Sequence, residues 1–167
     1  RPFDARFVYF DTDKIERSRE RVMQNFIDKE NIGIIFRRQQ PEDKDLYMFI
    51  SDSIFADGYI RSDNKGGESI APLYIYSDDK VKTPNFNDDI WQKINDTVGE
   101  TTPENILDYI YAVLHSPAYR QSYGEFLKSD FPRVPYPSDK ETFWALVTLG
   151  TKLRELHLMT TSESEKF

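Results

Sequence analysis

Residues 102–136 read TPENILDYIYAVLHSPAYRQSYGEFLKSDFPRVPY, and this stretch decides the architecture. Thr102 is a good N-cap, and Pro103 fits the first helical position, where a missing N–H is not needed. Ile106, Leu107, Ile110, Val113 and Leu114 then recur at helical spacing and give one apolar stripe. Ser116-Pro117 ends that helix and opens the next, in which Tyr119, Tyr123, Phe126 and Leu127 share a face. The chain then leaves through an extended segment spaced by Pro132, Pro135 and Pro137. The series Tyr109, Tyr111, Tyr119, Tyr123 is too regular for a base-stacking platform and predicts helix–helix packing with hydroxyls at the rim.

Working towards the C-terminus, Ser138 and Glu141 have the spacing of a capping box. The helix it opens carries Phe143, Leu146, Val147, Leu149, Leu153 and Leu156 to about Met159, before a polar tail, 160–167, expected to fray. Towards the N-terminus the pattern changes. Arg6–Phe10 (RFVYF), Ile32–Arg37, Leu46–Ser51, Tyr59-Ile60 and Ile70–Tyr76 read as strands, with Glu16–Asp28 an amphipathic helix. Ser62–Glu68 and the acidic, Pro84-containing stretch Ser77–Asn87 read as loops, and Asp88–Val98 as a shorter helix. Strands mainly at 6–76 and helices mainly at 102–159 predict an α+β fold, a mostly antiparallel sheet packed against helices with a C-terminal helical cluster.

A chain of 167 residues supports one domain with a proper core, expected over residues 1–159. There is no Cys, which excludes disulfides and thiolate metal sites and suits a reducing cytoplasm. No apolar run approaches the roughly 20 residues of a membrane span, and the mean hydropathy of −0.66 describes a wet surface. Net charge is −7, which argues against strong autonomous binding to nucleic acid. The charge is uneven: residues 1–40 hold nine Lys or Arg against seven acids, whereas residues 41–101 hold six against thirteen. Any face for nucleic acid should therefore draw on the first forty residues.

The sequence offers no catalytic constellation. Gly66-Gly67 lies in a polar loop with no helix behind it, so it is no cofactor-phosphate turn. Val134-Pro135-Tyr136-Pro137 has the wrong order for the Asn/Asp-Pro-Pro-aromatic loop of an adenine methyltransferase. Asp43-Lys44-Asp45 and Asp78-Asp79-Lys80 hold nuclease residue types, but on hydrophilic turns where charge runs are solvated. His115 closes a helix, where its ring can meet the last carbonyls, and His157 nears the end of another. Two His without Cys can meet in space but make a poor zinc site, so no metal is expected.

Several words of this chain, in order, resemble the C-terminal specificity region of type ISP and related single-chain restriction–modification methyltransferases. They are RPFDAR at 1–6 with Tyr9 and Asp11, Arg21-Val22-Met23, NIGI at 31–34 with Arg38-Gln39, APLYIY at 71–76, DYIYAVLHSPAYRQSYGEFLKSDFPRVPYP at 108–137 and LGTKLRELHL at 149–158. The resemblance implies a target recognition domain, a fragment of a larger polypeptide, as Arg1 in place of Met also suggests. It implies a parent that transfers methyl from S-adenosylmethionine to adenine in a specific duplex site, with type ISP members adding a nuclease and an ATP-driven motor. The partners implied are double-stranded DNA and the methyltransferase domain of the same chain. The fragment itself is expected to catalyse nothing and to hold no cofactor.

Reading bases in the major groove requires Arg for guanine, Asn or Gln for adenine, and carboxylates for cytosine. Arg37-Arg38-Gln39-Gln40 places four such groups where a strand runs out, and alternation turns Arg37 and Gln39 away from Arg38 and Gln40. Ordinary salt bridges to Glu42 or Asp45 are the plain alternative for the arginines. Arg61, Asn64 and Lys65 flank the Gly-rich loop and are further base-contact candidates, against a reading as solvated loop. Arg17, Arg19 and Arg21, and Arg133 between its prolines, are candidates for phosphate contacts, which set register without reading sequence. The rival to a recognition domain is a coupling module that packs on the methyltransferase core and touches DNA little.

Overall fold

The structure is a computed structural model describing residues 3–15, 18–38, 48–56, 58–60, 67–79 and 81–162. Its elements run α1 (Glu20–Met23), β1 (Gly33–Arg37), β2 (Phe49–Ser51), β3 (Glu68–Pro72), β4 (Tyr74–Tyr76), β5 (Lys82–Pro84), α2 (Asp88–Val98), α3 (Pro103–His115), α4 (Pro117–Leu127) and α5 (Lys140–His157). The α+β class holds, with the sheet divided in two. One has the order β2-β1-β3, and the other pairs β4 with β5. All pairings are antiparallel, with Ile34 opposite Ile50 and Ala71 in the first sheet.

Alternation along β1 gives the three-stranded sheet two buried faces. Ile35 and Ile70 meet Met23 and Phe26 on one face, forming a small core. Ile34 and Ile50, with Met48 and Leu73, face the helices and join the main core with Ile106, Leu107, Leu114, Phe143 and Val147. Gly33 is required where β1 begins. A Cβ there would stand 2.8 Å from the Ala71 carbonyl oxygen and 2.9 Å from the Phe26 ring.

The stretch read as one strand, Ile70–Tyr76, breaks at Leu73, whose buried side chain enters the main core while its N–H donates to the Ile32 carbonyl at 2.7 Å. β4 then pairs with β5, inside what the sequence reads as loop. Pro84 is tolerated because it sits at the end of an edge strand. Two buried asparagines knit these pieces. Asn31 accepts from the Tyr74 N–H at 3.1 Å and donates to the Tyr74 and Asn25 carbonyls. Asn25 accepts from the Tyr76 N–H at 2.9 Å.

Three further expectations at the N-terminal end need correction. Arg6–Phe10 forms no strand: Phe7, Val8 and Tyr9 are exposed and lie outside both sheets. β propensity measures fit to a half-buried pleated surface, and among the described residues no neighbouring strand supplies one. The helix expected over 16–28 shrinks to Glu20–Met23 and continues as turns, with residues 16 and 17 outside the described set. The Asn25 amide donates to the Arg21 and Val22 carbonyls, competing with helical bonds, and Asp28 adopts φ 53°. Tyr59-Ile60 is a bend, and β2 starts at Phe49, residues 46 and 47 lying outside the described set.

The helical half follows the sequence closely. Thr102 and Asn105 cap α3 reciprocally, and Ser116 caps α4. At α5 the cap is Asp139, not Ser138: the Asp139 carboxylate accepts the Thr142 N–H at 2.7 Å, while the Ser138 hydroxyl donates to Asp139. Helices α3 and α5 pack closely because Gly150 lies against the Asp108 backbone, leaving no room for a Cβ. Beside it, the buried Asp108 carboxylate receives Arg154 Nε at 2.7 Å, Arg154 Nη2 at 3.0 Å and the Thr151 hydroxyl at 2.7 Å. Tyr109, Tyr111 and Tyr119 are packing residues, as expected, whereas Tyr123 is exposed. Buried Tyr109 and Tyr119 donate to the carbonyls of Pro135 and Arg133, each at 3.0 Å, which ties down the proline segment. No described helix is long and apolar enough to cross a membrane.

Candidate nucleic-acid interface

Arg38 leaves the end of β1 and Arg133 lies in the proline segment after α4, yet the fold brings them to one carboxylate. Arg38 Nε lies 3.8 Å from Asp130 Oδ1, and Arg133 Nη2 lies 3.4 Å from Asp130 Oδ2. Both side chains remain open to solvent, 67% and 87% exposed. The Arg38 guanidinium also stands 5.7 Å from the centre of the Phe131 ring, which meets Phe36 edge-on at 5.7 Å. Asp130 is itself fixed by the Phe131 N–H, donated to Oδ1 at 2.9 Å. That N–H, then the two arginines, hold its carboxyl below the usual aspartate range. The salt-bridge partner that sequence sought for Arg38 in Glu42 or Asp45, both outside the described residues, is met across the fold by Asp130.

Arg37 is half-buried where Arg38 is exposed, the alternation expected of a strand. It stands opposite Glu68 in the β1–β3 register. Glu68 is a fully buried acid whose Oε2 accepts the N–H groups of Gly58 at 3.2 Å and Gly67 at 3.4 Å. Those two glycines bracket the part of the sequence holding Arg61, Asn64 and Lys65. These three, with Gln39, Gln40 and Arg17, lie outside the described residues. Arg19, in the left-handed region at φ 47°, donates from Nη1 to the Glu68 carbonyl, so this guanidinium braces β3. Arg21, two residues on, is exposed beside a cavity of about 320 Å³ lined by Val22, Met23, Phe55 and Ile70.

Between the sheet, α3 and the proline segment lies a larger apolar cavity of about 450 Å³, walled by Phe36, Leu73, Phe86, Ile110, Phe131 and Val134. Arg38 and Arg133 stand beside Phe131 at its edge. The two histidines do meet, at 5.6 Å between rings, with the Tyr111 hydroxyl bonded to His157 Nδ1. Burial pushes His115 down to about 4, with Arg120 and His157 adding to the effect. Among the described residues, no group of three or more side chains could hold a metal ion.

Sequence reasoning missed Asp130, Phe131 and Glu68. A usable signal existed for the first two, an acid and an aromatic at the entry of a proline-stiffened segment that already carried a singled-out arginine. Glu68 gave none, because its carboxylate matters only once β3 pairs with β1.

A small antiparallel sheet backed by a helical cluster, with arginines gathered at one sheet end, describes a recognition module. The chain matches the Type ISP C-terminal specificity domain over residues 1–166 and belongs to that family. Among solved structures it is similar to a chain in the cryo-electron-microscopy structure of the DrdV–DNA complex, with 25% identity over 95% of this chain and a TM-score of 0.76. It is also similar to the ATP-dependent Type ISP restriction–modification enzyme LlaBIII bound to DNA, at 23% identity, 78% coverage and a TM-score of 0.59. A third similar structure is a nuclease-deletion mutant of the Type ISP restriction–modification enzyme LlaGI with a DNA substrate mimic, at 29% identity, 78% coverage and a TM-score of 0.55. The chain spans 15%, 8% and 10% of those three chains, respectively. No curated protein matches it.

Proposed function

We propose that residues 1–159 are the target recognition domain of a larger restriction–modification enzyme, selecting a duplex DNA site for an adenine-specific methyltransferase elsewhere on that polypeptide. The observation that carries this reading is the specificity-domain match across residues 1–166. The DNA complexes of DrdV, LlaBIII and LlaGI support it, as does the exposed Arg38–Arg133 pair. In this reading Arg38 reaches a base edge and Arg133 a phosphate, while Arg37 stays with the sheet. Gln39, Gln40, Arg61, Asn64 and Lys65 extend the base-reading set, and Arg17 and Arg21 the phosphate set. S-adenosylmethionine, and any nuclease or motor, belong to other parts of the parent. The fragment catalyses nothing in this scheme.

The test is a methylation assay on the full-length polypeptide against a randomised duplex library. Arg38→Ala should relax preference at one base pair, with a discrimination loss of about 1–3 kcal/mol. Unchanged preference together with an unstable protein would favour the rival reading, a coupling module docked on the methyltransferase domain. The exposed Phe7-Val8-Tyr9 segment and the net charge of −7 are the observations on that side.

A further inference from the structure

We propose that Asp130 is a positioning residue for target discrimination: it holds Arg38 and Arg133 together in the free domain and competes with DNA for both, with the base edge at Arg38 and the backbone phosphate at Arg133. This rests on the DNA-recognition reading above. The contacts are suited to release. At 3.8 and 3.4 Å they are looser than charge-assisted hydrogen bonds, and exposed pairs of this kind bind weakly. A duplex that approaches both arginines can therefore displace the carboxylate. The carboxylate itself stays in place, because the Phe131 N–H anchors Oδ1 at 2.9 Å. Arg38 is likewise held over the Phe131 ring, so releasing Asp130 frees its donors without freeing its position.

The consequence falls unequally on right and wrong DNA. On a non-cognate duplex the attraction is almost wholly electrostatic, so an internal anion that occupies two guanidinium groups removes much of what little there is. On the cognate site base contacts add to phosphate contacts, and the same competition costs proportionately less. Asp130 thus sets a threshold: it suppresses holding on random sequence more than it weakens the target complex.

The experiment uses the full-length polypeptide, a duplex carrying the site selected from the randomised library, and a scrambled duplex. Binding is followed by fluorescence anisotropy over a salt series. Asp130→Asn is expected to raise affinity for the scrambled duplex about fivefold at low salt and to steepen its salt slope by about 1. Cognate affinity should rise less, so the discrimination ratio falls, and Asp130→Glu should restore it in part. An unchanged ratio with Asp130→Asn overturns the inference. So does a loss of cognate affinity alone, which would make Asp130 a reader of cytosine. The double variant Arg38→Ala, Arg133→Ala separates the two levels. If it leaves both duplexes bound as before, the DNA-recognition reading at this surface fails. If it weakens binding while Asp130→Asn changes nothing, only the competition fails.

Discussion

The helical half, from α2 to α5, and the sheet half, from α1 to β5, are held together by different means. In the helices, large side chains interlock over long stretches: Phe143 stacks on Tyr109 at 5.0 Å between rings, Trp144 donates to the Val98 carbonyl, and the Asp108–Arg154 bridge joins α3 to α5. In the sheets, strands of three to five residues meet through backbone bonds and are fastened at a few polar points, chiefly Asn25, Asn31 and Glu68. The difference teaches how unevenly this domain is fastened. The helices interlock through side chains over long elements, and the sheet half joins short segments at a few polar points.

That contrast is open to attack in order of expected effect. Asp108→Ala should cost about 3–5 kcal/mol, because it strands the Arg154 guanidinium between two helices, and a urea melt would register it. A loss below 1 kcal/mol would mean the helical half is no more firmly fastened than the sheets. Gly33→Ala should cost about 2 kcal/mol through the clash with Ala71 and Phe26. Its damage should be confined to β1 and its neighbours in hydrogen exchange, and protection lost equally from α3 would erase the distinction.

Acid supplies a further probe. With His115 at about 4 when folded and near 6.5 when unfolded, the unfolded chain binds the extra proton in that window. Stability should therefore fall as pH drops from about 6.5 to about 4, and His115→Phe should flatten the decline in a pH series of melts. At the small end, Phe7→Ser should shift stability by less than about 0.5 kcal/mol, since the ring is fully exposed in this chain. A larger loss would place that segment in the fold after all.

The helical half was legible because caps and apolar spacing both lie in the local sequence. Thr102-Pro103 and Ser116-Pro117 mark two starts, and the stripe from Ile106 to Leu114 marks the buried face between them. Only the last cap slipped by one residue, since Ser138 and Asp139 both carry suitable oxygens and the backbone chose the second. The sheet half was legible in part. β1 was found because Ile34 and Ile35 are buried on both faces, as a central strand demands. Phe7 to Tyr9 misled because the same residue types need a neighbouring strand, which none of the described residues provides. β5 was hidden because an edge strand with Pro84 and exposed Lys82 carries no apolar pattern.

The candidate interface divided in the same way. Arg38 and Arg133 could be chosen one by one from donor chemistry. Their meeting at Asp130 could not, because it depends on how the proline segment returns to the end of β1.

Glu68 also bears on how such a domain changes its target over evolutionary time. One buried carboxylate takes the N–H groups of Gly58 and Gly67, so the chain between them starts and finishes at a fixed mount. In the proposed reading, where Arg61, Asn64 and Lys65 reach bases, substitution at those positions changes the target while β1 and β3 keep their register.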